Sequence, residues 1–533
     1  MNTLSLYLLA GIALAAGLGG CTAGPTYAPP AVPVPRTYAE AAGPAVTASR
    51  PEPGVDAPER WWLTFHDPEL EALIRRAVAG NGDLKIAASR VREARAEFGL
   101  AEAAALPAVA ATAGYNRGRG SANVTLPFGG GSGSAAGAAA GGTAASTRSA
   151  DARTLRTAEQ EGGGPAAPPS SGAAQAPAGP TSPFGEGGLP GTTTNLYQAG
   201  FDASWEIDVF GGTRRAVEAA GARIEGFEEQ RRDVLVSLLA ETATDYLQLR
   251  TAQRRLAIAR DTLAGERDLL GLVRARFAAG FVTGLDVARQ EAEVAAAGAA
   301  APPEEAKIRG AEHALEVIIG TPPGSLDREL NAPRDFSELP PLVPIGLPSD
   351  LLRRRPDIRR AERALAAATA EIGVATADLF PRFSLTGAFG LDSSRPADLP
   401  EWSSRYYSII PGLRWPLLDW GRVHDNIRVR NELQRQALTA YEQTVSQALT
   451  DVEDGLVRYR TEQERRSALA QGVAAGERSV GIARAQYEHG TADATSVLAA
   501  EHALFAARSE LAESDGNLRT DLVALYKALG GGW

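Results

Sequence analysis

The 533-residue chain contains one cysteine, Cys21, and one methionine, Met1. A single thiol excludes an internal disulfide framework and any zinc site built from several cysteines. The chain also lacks the thioether ligands of a methionine-lined copper path. Its five histidines are scattered without metal-ligand spacing, and no motif joins one of them to a nucleophile. The sequence therefore predicts no metal site, no cofactor and no catalytic residue, and the protein is not expected to be an enzyme.

Basic charge and long apolar runs are also scarce. The formal net charge is −10, from 54 Lys and Arg against 64 Asp and Glu, and no basic block stands out. This balance argues against a nucleic-acid partner. Outside the N-terminal segment the chain has no hydrophobic stretch of about 18 residues, the length that a transmembrane helix requires.

The N-terminal segment has the pattern of an export signal that ends at the cysteine. Leu4 to Leu18 is apolar, and Gly19 and Gly20 separate this stretch from Cys21, as in a signal peptide with a small-residue cleavage site. The motif LGGC resembles a bacterial lipobox, in which the cysteine is acylated, palmitate being one such acyl group, and becomes the mature N-terminus. The sequence thus predicts a lipid anchor at Cys21. The alternative is an ordinary buried cysteine in an exported protein.

Residues 1–20 are accordingly predicted to be a lipoprotein signal peptide. No Lys or Arg occurs from Met1 to Leu9, so the basic start of a signal peptide is missing and whether Met1 is the true start stays open. Residues 21–58 are Pro-rich, which predicts an extended tether between the lipid and a folded body.

Proline is absent from residues 212–301 and 417–533, and both stretches are rich in Ala, Leu, Glu and Arg. These are predicted to be long helical regions. In the first, Leu235, Thr242, Leu249, Leu256, Leu263, Leu270 and Phe277 recur every seven residues. A strict heptad predicts helices packed side by side as a coiled coil.

An internal repeat organises the chain. Residues 83–107 (DLKIAASRVREARAEFGLAEAAALP) align without gaps on residues 357–381 (DIRRAERALAAATAEIGVATADLFP). Matching positions include Gly99 with Gly373, Trp205 with Trp415, and Gly280 with Gly490. The first copy carries extra Gly, Ser, Ala and Pro runs, which predict a flexible insertion at a loop tip.

The predicted domains follow from this repeat. The first repeat spans 59–300, with helices 59–105 and 212–300, strands about 107–117 and 195–210, and the insertion about 126–193. A linker spans 301–346. The second repeat spans 347–512, with helices 347–379 and 421–512 and strands about 381–392 and 405–418, and a C-terminal segment spans 513–533.

The four predicted strands alternate between apolar and other residues with period two, most clearly from Tyr197 to Ile207. Each is about ten residues long, which is the length of a tilted strand that crosses a bilayer. A small soluble sheet is the alternative. Four strands cannot close a barrel, and lipid tolerates no open sheet edge. If the strands span a membrane, several chains must share one barrel.

Three blocks resemble the TolC-like outer membrane efflux factors, lipoproteins of the OprM/NodT type: WWLTFHDPELEALIRRAVAGNGDLKIAASRVREARA (61–96), LPSDLLRRRPDIRRAERALAAATAEIGVATADLFPRFSLTG (347–387) and GTADATSVLAAEHAL (490–504). The resemblance implies a mixed α/β membrane protein. Its expected form is a homotrimer, with a 12-stranded outer-membrane β-barrel of four strands per chain that continues into a long periplasmic α-helical barrel. It also implies a Gram-negative outer membrane, a periplasmic adaptor protein and an inner-membrane RND-type pump as partners.

The resemblance also points to site residues at the two helical turns. Residues expected at or near the adaptor contact are Arg276, Gly280, Thr283, Leu285, Asp286, Gly490 and Thr491. Relatives often place a gate aspartate in a pattern like VLDAQ, whereas this chain has VLAAE, with Ala499 at the Asp position. The possible gate residues are Asp493, Thr495, Ala499 and Glu501, and Asp493 or Glu501 is the candidate replacement for the missing carboxylate. A ring of three carboxylates would favour cations and respond to pH; the alternative is solvated helix-end charges.

The leading hypothesis is an exit duct for drugs or other small molecules. One alternative is a related duct for peptide or protein secretion, and another is a lipid-anchored coiled-coil scaffold without a pore. The substrate range cannot be predicted from the sequence, because specificity is expected to lie in the pump.

Overall fold

A computed structural model describes residues 22–42, 49–119, 192–492 and 494–533. The chain divides into two compact units. Among the described residues, the helical unit comprises 22–42, 49–106, 206–383, 413–492 and 494–533, and the strand unit comprises 107–119, 192–205 and 384–412. Cys21, Asp493 and nearly all of the predicted insertion lie outside the described residues.

The helical unit contains ten α-helices among its described residues: α1 (Pro68–Gly80), α2 (Gly82–Ala103), α3 (Gly212–Ala278), α4 (Gly284–Ala299), α5 (Ala301–Ile319), α6 (Asp327–Leu330), α7 (Leu351–Arg354), α8 (Pro356–Ala377), α9 (Arg422–Glu488) and α10 (Ala494–Ala528). Two short strands of this unit, β1 (Arg50–Pro53) and β4 (Leu342–Gly346), pair in parallel. Four longer strands form a second sheet: β2 (Ala108–Arg119), β3 (Thr193–Ile207), β5 (Arg382–Ser393) and β6 (Arg405–Arg414).

Helices α3 and α9 dominate the helical unit. Each has 67 residues, a length of roughly 100 Å at 1.5 Å per residue. Each follows a glycine in the left-handed conformation, Gly211 or Gly421. The heptad side chains of α3 are buried or half-buried from Leu235 to Leu270, whereas Phe277 is exposed. The predicted heptad therefore faces the helices that pack on α3 over most of its length, namely α1, α2, α4, α5, α8 and α10.

The main core of the helical unit surrounds the middle of the two long helices. It joins residues 238–249 of α3 to residues 441–459 of α9, with α1, α5 and the end of α10 packed around them. Its largest fully buried aromatic side chains are Trp61, Tyr246, Tyr459 and Tyr526. The rings of Trp61 and Tyr526 stack with their centroids 5.6 Å apart. This core holds the long helices together at mid-length.

A buried ion pair lies beside this core. Arg250 and Glu69 are 2% and 7% exposed, and Arg250 Nη2 donates to Glu69 Oε2 at 2.5 Å. Arg250 Nη1 donates to Gln253 Oε1 at 2.7 Å and to the Ala332 carbonyl at 2.8 Å. These contacts compensate the cost of removing a guanidinium from water. They also join α1, α3 and the segment that follows α6.

Asp245 on α3 predicts a pH dependence of stability. Burial, with a smaller contribution from the Glu241 carboxylate, raises the pKa of Asp245 to about 6 from 3.8. The folded state therefore binds this proton more tightly than the unfolded state, so the stabilisation is complete below about pH 4 and is lost as pH rises through 6. Asp245→Asn is expected to raise the thermal unfolding midpoint at pH 7 and not at pH 4. Equal shifts at both pH values, or the same pattern in the exposed control Asp261→Asn, would contradict this prediction.

The predicted tether is packed against helices over residues 22–42, which we call the N-terminal strap. Tyr27 Oη donates to Glu362 Oε1 of α8 at 3.0 Å. Tyr38 is buried in the main core. The backbone N–H groups of Ala39 and Glu40 donate to the Glu453 carboxylate of α9 at 2.8 and 3.0 Å. The strap is therefore ordered by contacts along its length and does not hang free.

Other boundaries differ from the prediction in detail. The predicted helix 59–105 is a 3-10 turn (Trp61–Phe65) followed by α1 and α2. Asp67 ends the turn region and caps α1 by accepting from the backbone N–H groups of Glu69 and Leu70 at 2.9 and 3.3 Å. The predicted boundary between 512 and 513 falls inside α10. Among the described residues, no helix has both the length and the apolar character needed to cross a bilayer.

The strand unit is built on a sheet with the strand order β2-β3-β5-β6. Strands β2 and β3 are antiparallel, with Tyr115 opposite Tyr197 and Ala111 opposite Phe201. The rings of Tyr115 and Tyr197 stack with their centroids 4.7 Å apart. Strands β2 and β6 are the two edges of this sheet.

The two faces of this sheet differ in character. Large apolar side chains at odd-numbered positions are exposed in the single chain: Val109, Tyr115, Phe201, Phe389, Tyr407 and Ile409. Even-numbered positions carry mainly polar or small residues, with Leu196 and Ile410 as apolar exceptions. Thr112 Oγ1 donates to Asp202 Oδ2 at 2.9 Å on this face. On that even face Gly200 and Gly390 meet backbone to backbone, and the Tyr406 ring lies over them. The antiparallel register of β2 and β3 pairs odd with odd positions, and Gly200, Gly390 and Tyr406 lie together on the even face. The exposed odd-numbered apolar side chains therefore share the opposite face.

Candidate functional site at two helical turns

The two turns at the ends of the long helices have the same backbone geometry. The first turn (279–283) joins α3 to α4, and the second (489–493) joins α9 to α10. Gly280 and Gly490 are left-handed, with φ of 79° and 74°. The N–H of Phe281 donates to the Arg276 carbonyl at 2.9 Å, and the N–H of Thr491 donates to the Gln486 carbonyl at 2.9 Å. Both helices therefore end in a Schellman motif, which requires a residue that tolerates positive φ.

The first turn presents apolar side chains above a capped helix. Asp286 Oδ2 accepts from the Thr283 N–H at 2.8 Å and from Thr283 Oγ1 at 2.7 Å, which fixes the start of α4. Phe281 is 81% exposed and Leu285 is 58% exposed. Sequence reasoning named Leu285 and missed Phe281, although an aromatic residue directly after the C-cap glycine was a usable signal. The arrangement offers an apolar contact surface on a rigid turn.

Arg276 links the two helical hairpins α3–α4 and α9–α10. Its Nη2 donates to the Tyr487 carbonyl at 2.9 Å, and its guanidinium lies 3.9 Å from the centre of the Tyr487 ring. A cation at the last carbonyls of α9 is favoured by the helix dipole and by the aromatic face. Arg276, which the sequence predicted as a site residue, therefore joins the two hairpins.

A small hydrophobic core lies close to the two turns. Leu269 and Val273 of α3 pack with Tyr487 of α9 and Val497 of α10. Nearby, Gln290 Nε2 donates to Glu266 Oε2 at 2.6 Å, and both side chains are buried. Burial raises the pKa of the Glu266 carboxyl, and the hydrogen bond from Gln290 opposes that rise.

The gate candidates near the second turn differ in their surroundings. Glu501 is paired with Arg484: Nε and Nη2 of Arg484 lie 2.7 and 2.5 Å from Glu501 Oε1. The Glu501 side chain is 10% exposed. Ala499 and Thr495 are exposed, and Asp493 lies outside the described residues. The pairing commits Glu501 to a contact between α9 and α10.

A second link between the hairpins joins His502 of α10 to Glu293 of α4, with His502 Nε2 2.7 Å from Glu293 Oε2. Sequence reasoning treated His502 as a scattered histidine, because nothing in the spacing of the chain places it beside α4. Among the described residues, no group of His, Cys, Asp and Glu side chains has the arrangement of a metal site.

Comparison with known proteins identifies the family. The chain matches the family model described as "Outer membrane efflux protein" over residues 170–321 and 347–531. It belongs to the outer membrane efflux protein family.

Individual relatives agree with this assignment. Outer membrane protein OprJ of Pseudomonas aeruginosa is 30% identical over 526 residues, covering 98% of this chain and 95% of OprJ. The toluene efflux pump outer membrane protein TtgF of Pseudomonas putida is 29% identical over 525 residues, covering 98% of this chain and 96% of TtgF. The solved structure of the outer-membrane channel OprN matches with a TM-score of 0.78 at 31% identity, covering 96% of this chain and 100% of OprN.

The predicted resemblance, function and location are thereby confirmed. The protein is an outer membrane channel of an efflux system, and it extends from that membrane into the periplasm. Its fold is mixed α/β and mostly helical, as predicted. The family consists of channel proteins and not of enzymes. The relatives favour neither a secretion duct nor a scaffold without a pore.

Proposed function

We propose that three copies of the chain form one closed 12-stranded β-barrel in the outer membrane. The observation that carries this proposal is a four-stranded sheet with an exposed apolar face, whose edge strands β2 and β6 pair with no further strand among the described residues. Lipid offers no hydrogen-bond partner to such edges, and four strands cannot close on themselves. Pairing of β6 in one copy with β2 in the next satisfies both edges and turns the apolar face toward lipid.

The helical unit then supplies a periplasmic α-helical barrel with an internal two-fold repeat. Equal lengths support the repeat, since α2 and α8 have 22 residues each and α3 and α9 have 67 each. The matching Schellman motifs at Gly280 and Gly490 support it further. Three copies contribute six such helical hairpins around one passage, and Cys21 carries the lipid anchor.

The complete export system has three components: this channel, a periplasmic adaptor and an inner-membrane pump. The turns at Gly280 and Gly490, with Phe281 and Leu285 as exposed apolar contacts, dock a periplasmic adaptor, and an inner-membrane RND-type pump loads the duct. The chain itself is a passive exit path for small molecules, without enzymatic activity. Because Glu501 is paired to Arg484, Asp493 serves as the acidic gate residue. The contacts that Arg276 and His502 make between the hairpins hold the resting passage closed.

A dye-accumulation assay tests the export role. Cells that make the cognate adaptor and pump but lack this chain are expected to retain a fluorescent small-molecule pump substrate, and expression of the chain is expected to restore efflux. Restored secretion of a peptide or protein without any change in small-molecule efflux would instead support the secretion duct. The control is a strain without the pump, in which the chain alone is expected to produce no active efflux.

A further inference from the structure

The described chain starts one residue after Cys21, and its first residues are fixed to the start of α3. The N–H of Ala23 donates to the Phe210 carbonyl at 2.9 Å. Arg215 Nε donates to the Ala23 carbonyl at 3.2 Å, and Arg215 Nη2 donates to the Gly24 carbonyl at 3.4 Å. Arg215 is 4% exposed, and a guanidinium buried this deeply requires acceptors for its donors. Two of its acceptors belong to the N-terminal strap.

Two glycines permit this contact. Gly24 has φ of 82°, and a Cβ on it would lie 2.5 Å from Cα of Gly373 in α8. A Cβ on Gly373 would lie 2.7 Å from Cγ of Arg215 and 2.9 Å from the Ala23 oxygen. At Gly24 the strap and α8 therefore meet backbone to backbone, and a side chain at Gly373 would press on both the Arg215 side chain and the Ala23 carbonyl.

The first repeat offers a comparison for the surroundings of Gly373. Gly99 of α2 occupies the repeat position of Gly373, yet a Cβ on Gly99 would meet no atom within 4 Å. Within the described residues, the Arg215 side chain and the Ala23 carbonyl are the close neighbours at Gly373, and Gly99 has no such neighbours. The tight space at Gly373 is therefore filled jointly by the Arg215 side chain and by the strap residue Ala23 to which Arg215 donates.

We propose that Phe210, Arg215 and Gly373 form a seat for the residues that follow the acylated cysteine, and that this seat fixes the lipid anchor beside the end of β3. The inference rests on the proposed acylation of Cys21. Phe210 is three residues beyond Ile207, the last residue of β3, and Ala23 is two residues beyond Cys21. A defined contact therefore holds the acyl chains within a few residues of a strand end. A free tether would not fix their position.

Limited trypsin digestion of full-length protein from membranes tests the seat. Arg36 is exposed and is the single Lys or Arg of the strap, so cleavage at the Arg36–Thr37 bond reports strap opening. In Arg215→Ala, the peptide that begins at Thr37 is expected to appear about tenfold faster, because cleavage tracks the open population and losing charge-assisted hydrogen bonds shifts such an equilibrium by roughly that factor. Gly373→Ala is expected to change the rate in the same direction, because the added methyl group would displace the Arg215 side chain and the Ala23 carbonyl.

Matched controls separate the seat from general destabilisation. Arg214→Ala removes a neighbouring arginine whose Nε is 3.3 Å from Asp208, and Gly99→Ala changes the repeat counterpart; both are expected to be cleaved at the wild-type rate. If Gly373→Ala does not fold, Arg215→Ala decides the question. Wild-type cleavage rates in both seat variants, or equal acceleration in both controls, would overturn the seat.

Palmitate labelling of the same preparations tests the premise separately. Labelled wild-type protein and unlabelled Cys21→Ser protein are expected. An unlabelled wild-type protein would overturn the lipid anchor, and with it the anchoring role of the seat, whatever the cleavage rates are. Efflux in the dye assay does not depend on either result, so failure of the channel function is recognised independently.

Discussion

Glu69→Ala is expected to lower the apparent free energy of unfolding by about 3–5 kcal/mol, the range for breaking a buried ion pair from one side. The substitution leaves the Arg250 guanidinium, 2% exposed, without the carboxylate that its Nη2 contacts at 2.5 Å. Arg334, whose Nε lies 3.2 Å from Glu69, loses the same partner. Denaturant titration of the detergent-purified protein, at fixed protein concentration, measures the change.

A double-variant cycle isolates the ion pair from helix packing. Arg250→Ala is expected to cost a similar amount, and the double variant is expected to cost clearly less than the sum, because no unpaired buried charge remains. Glu71→Ala, on the same turn of α1, serves as the matched control and is expected to change stability by less than about 0.5–1 kcal/mol. Strict additivity of Glu69→Ala and Arg250→Ala would show that the pair does not act as a unit.

Arg276→Ala is expected to raise the open probability of the channel about tenfold, the factor that corresponds to loss of roughly 1.4 kcal/mol. Its hydrogen bond to the Tyr487 carbonyl and its contact with the Tyr487 ring join the two hairpins, which separate in the opening that we propose. A charge-assisted hydrogen bond with an aromatic contact supplies at least that much energy.

The chain provides a closely matched control at Arg274. Its Nη2 lies 2.7 Å from Glu291 Oε1, a contact within the α3–α4 hairpin and not between the two hairpins. Arg274→Ala is expected to leave the open probability unchanged. Equal effects of the two substitutions would indicate loosened helix packing in place of a specific link between hairpins.

Much of the fold could be predicted because it depends on local pattern. Long proline-free stretches predicted α3 and α9, and the heptad from Leu235 to Leu270 predicted the buried side of α3. Gly280 and Gly490 were identifiable as turn positions, since a Schellman motif needs a residue that tolerates positive φ. Period-two alternation predicted which side chains share one face of the β2–β3 ladder.

The remaining features depend on contacts between distant parts of the chain. The Pro-rich composition predicted that the strap would be an extended tether. The contacts that hold it could not be predicted, because Ala23 and Tyr27 bind residues 192 and 335 positions away in sequence. Glu501 and Arg484 are 17 residues apart, and their pairing follows from the antiparallel register of α9 and α10 across the turn. His502 meets Glu293 at a separation of 209 residues. Pro-rich composition and charge spacing carry no information about such partners.

Single-channel recording in a planar bilayer tests most directly that this chain forms an outer membrane channel. The purified wild-type protein is expected to show discrete openings with low open probability, and Arg276→Ala is expected to open more often at the same unitary conductance. An intact, folded oligomer that produces no discrete openings as wild type, as Arg276→Ala, or as the variant that also carries His502→Ala would contradict the channel.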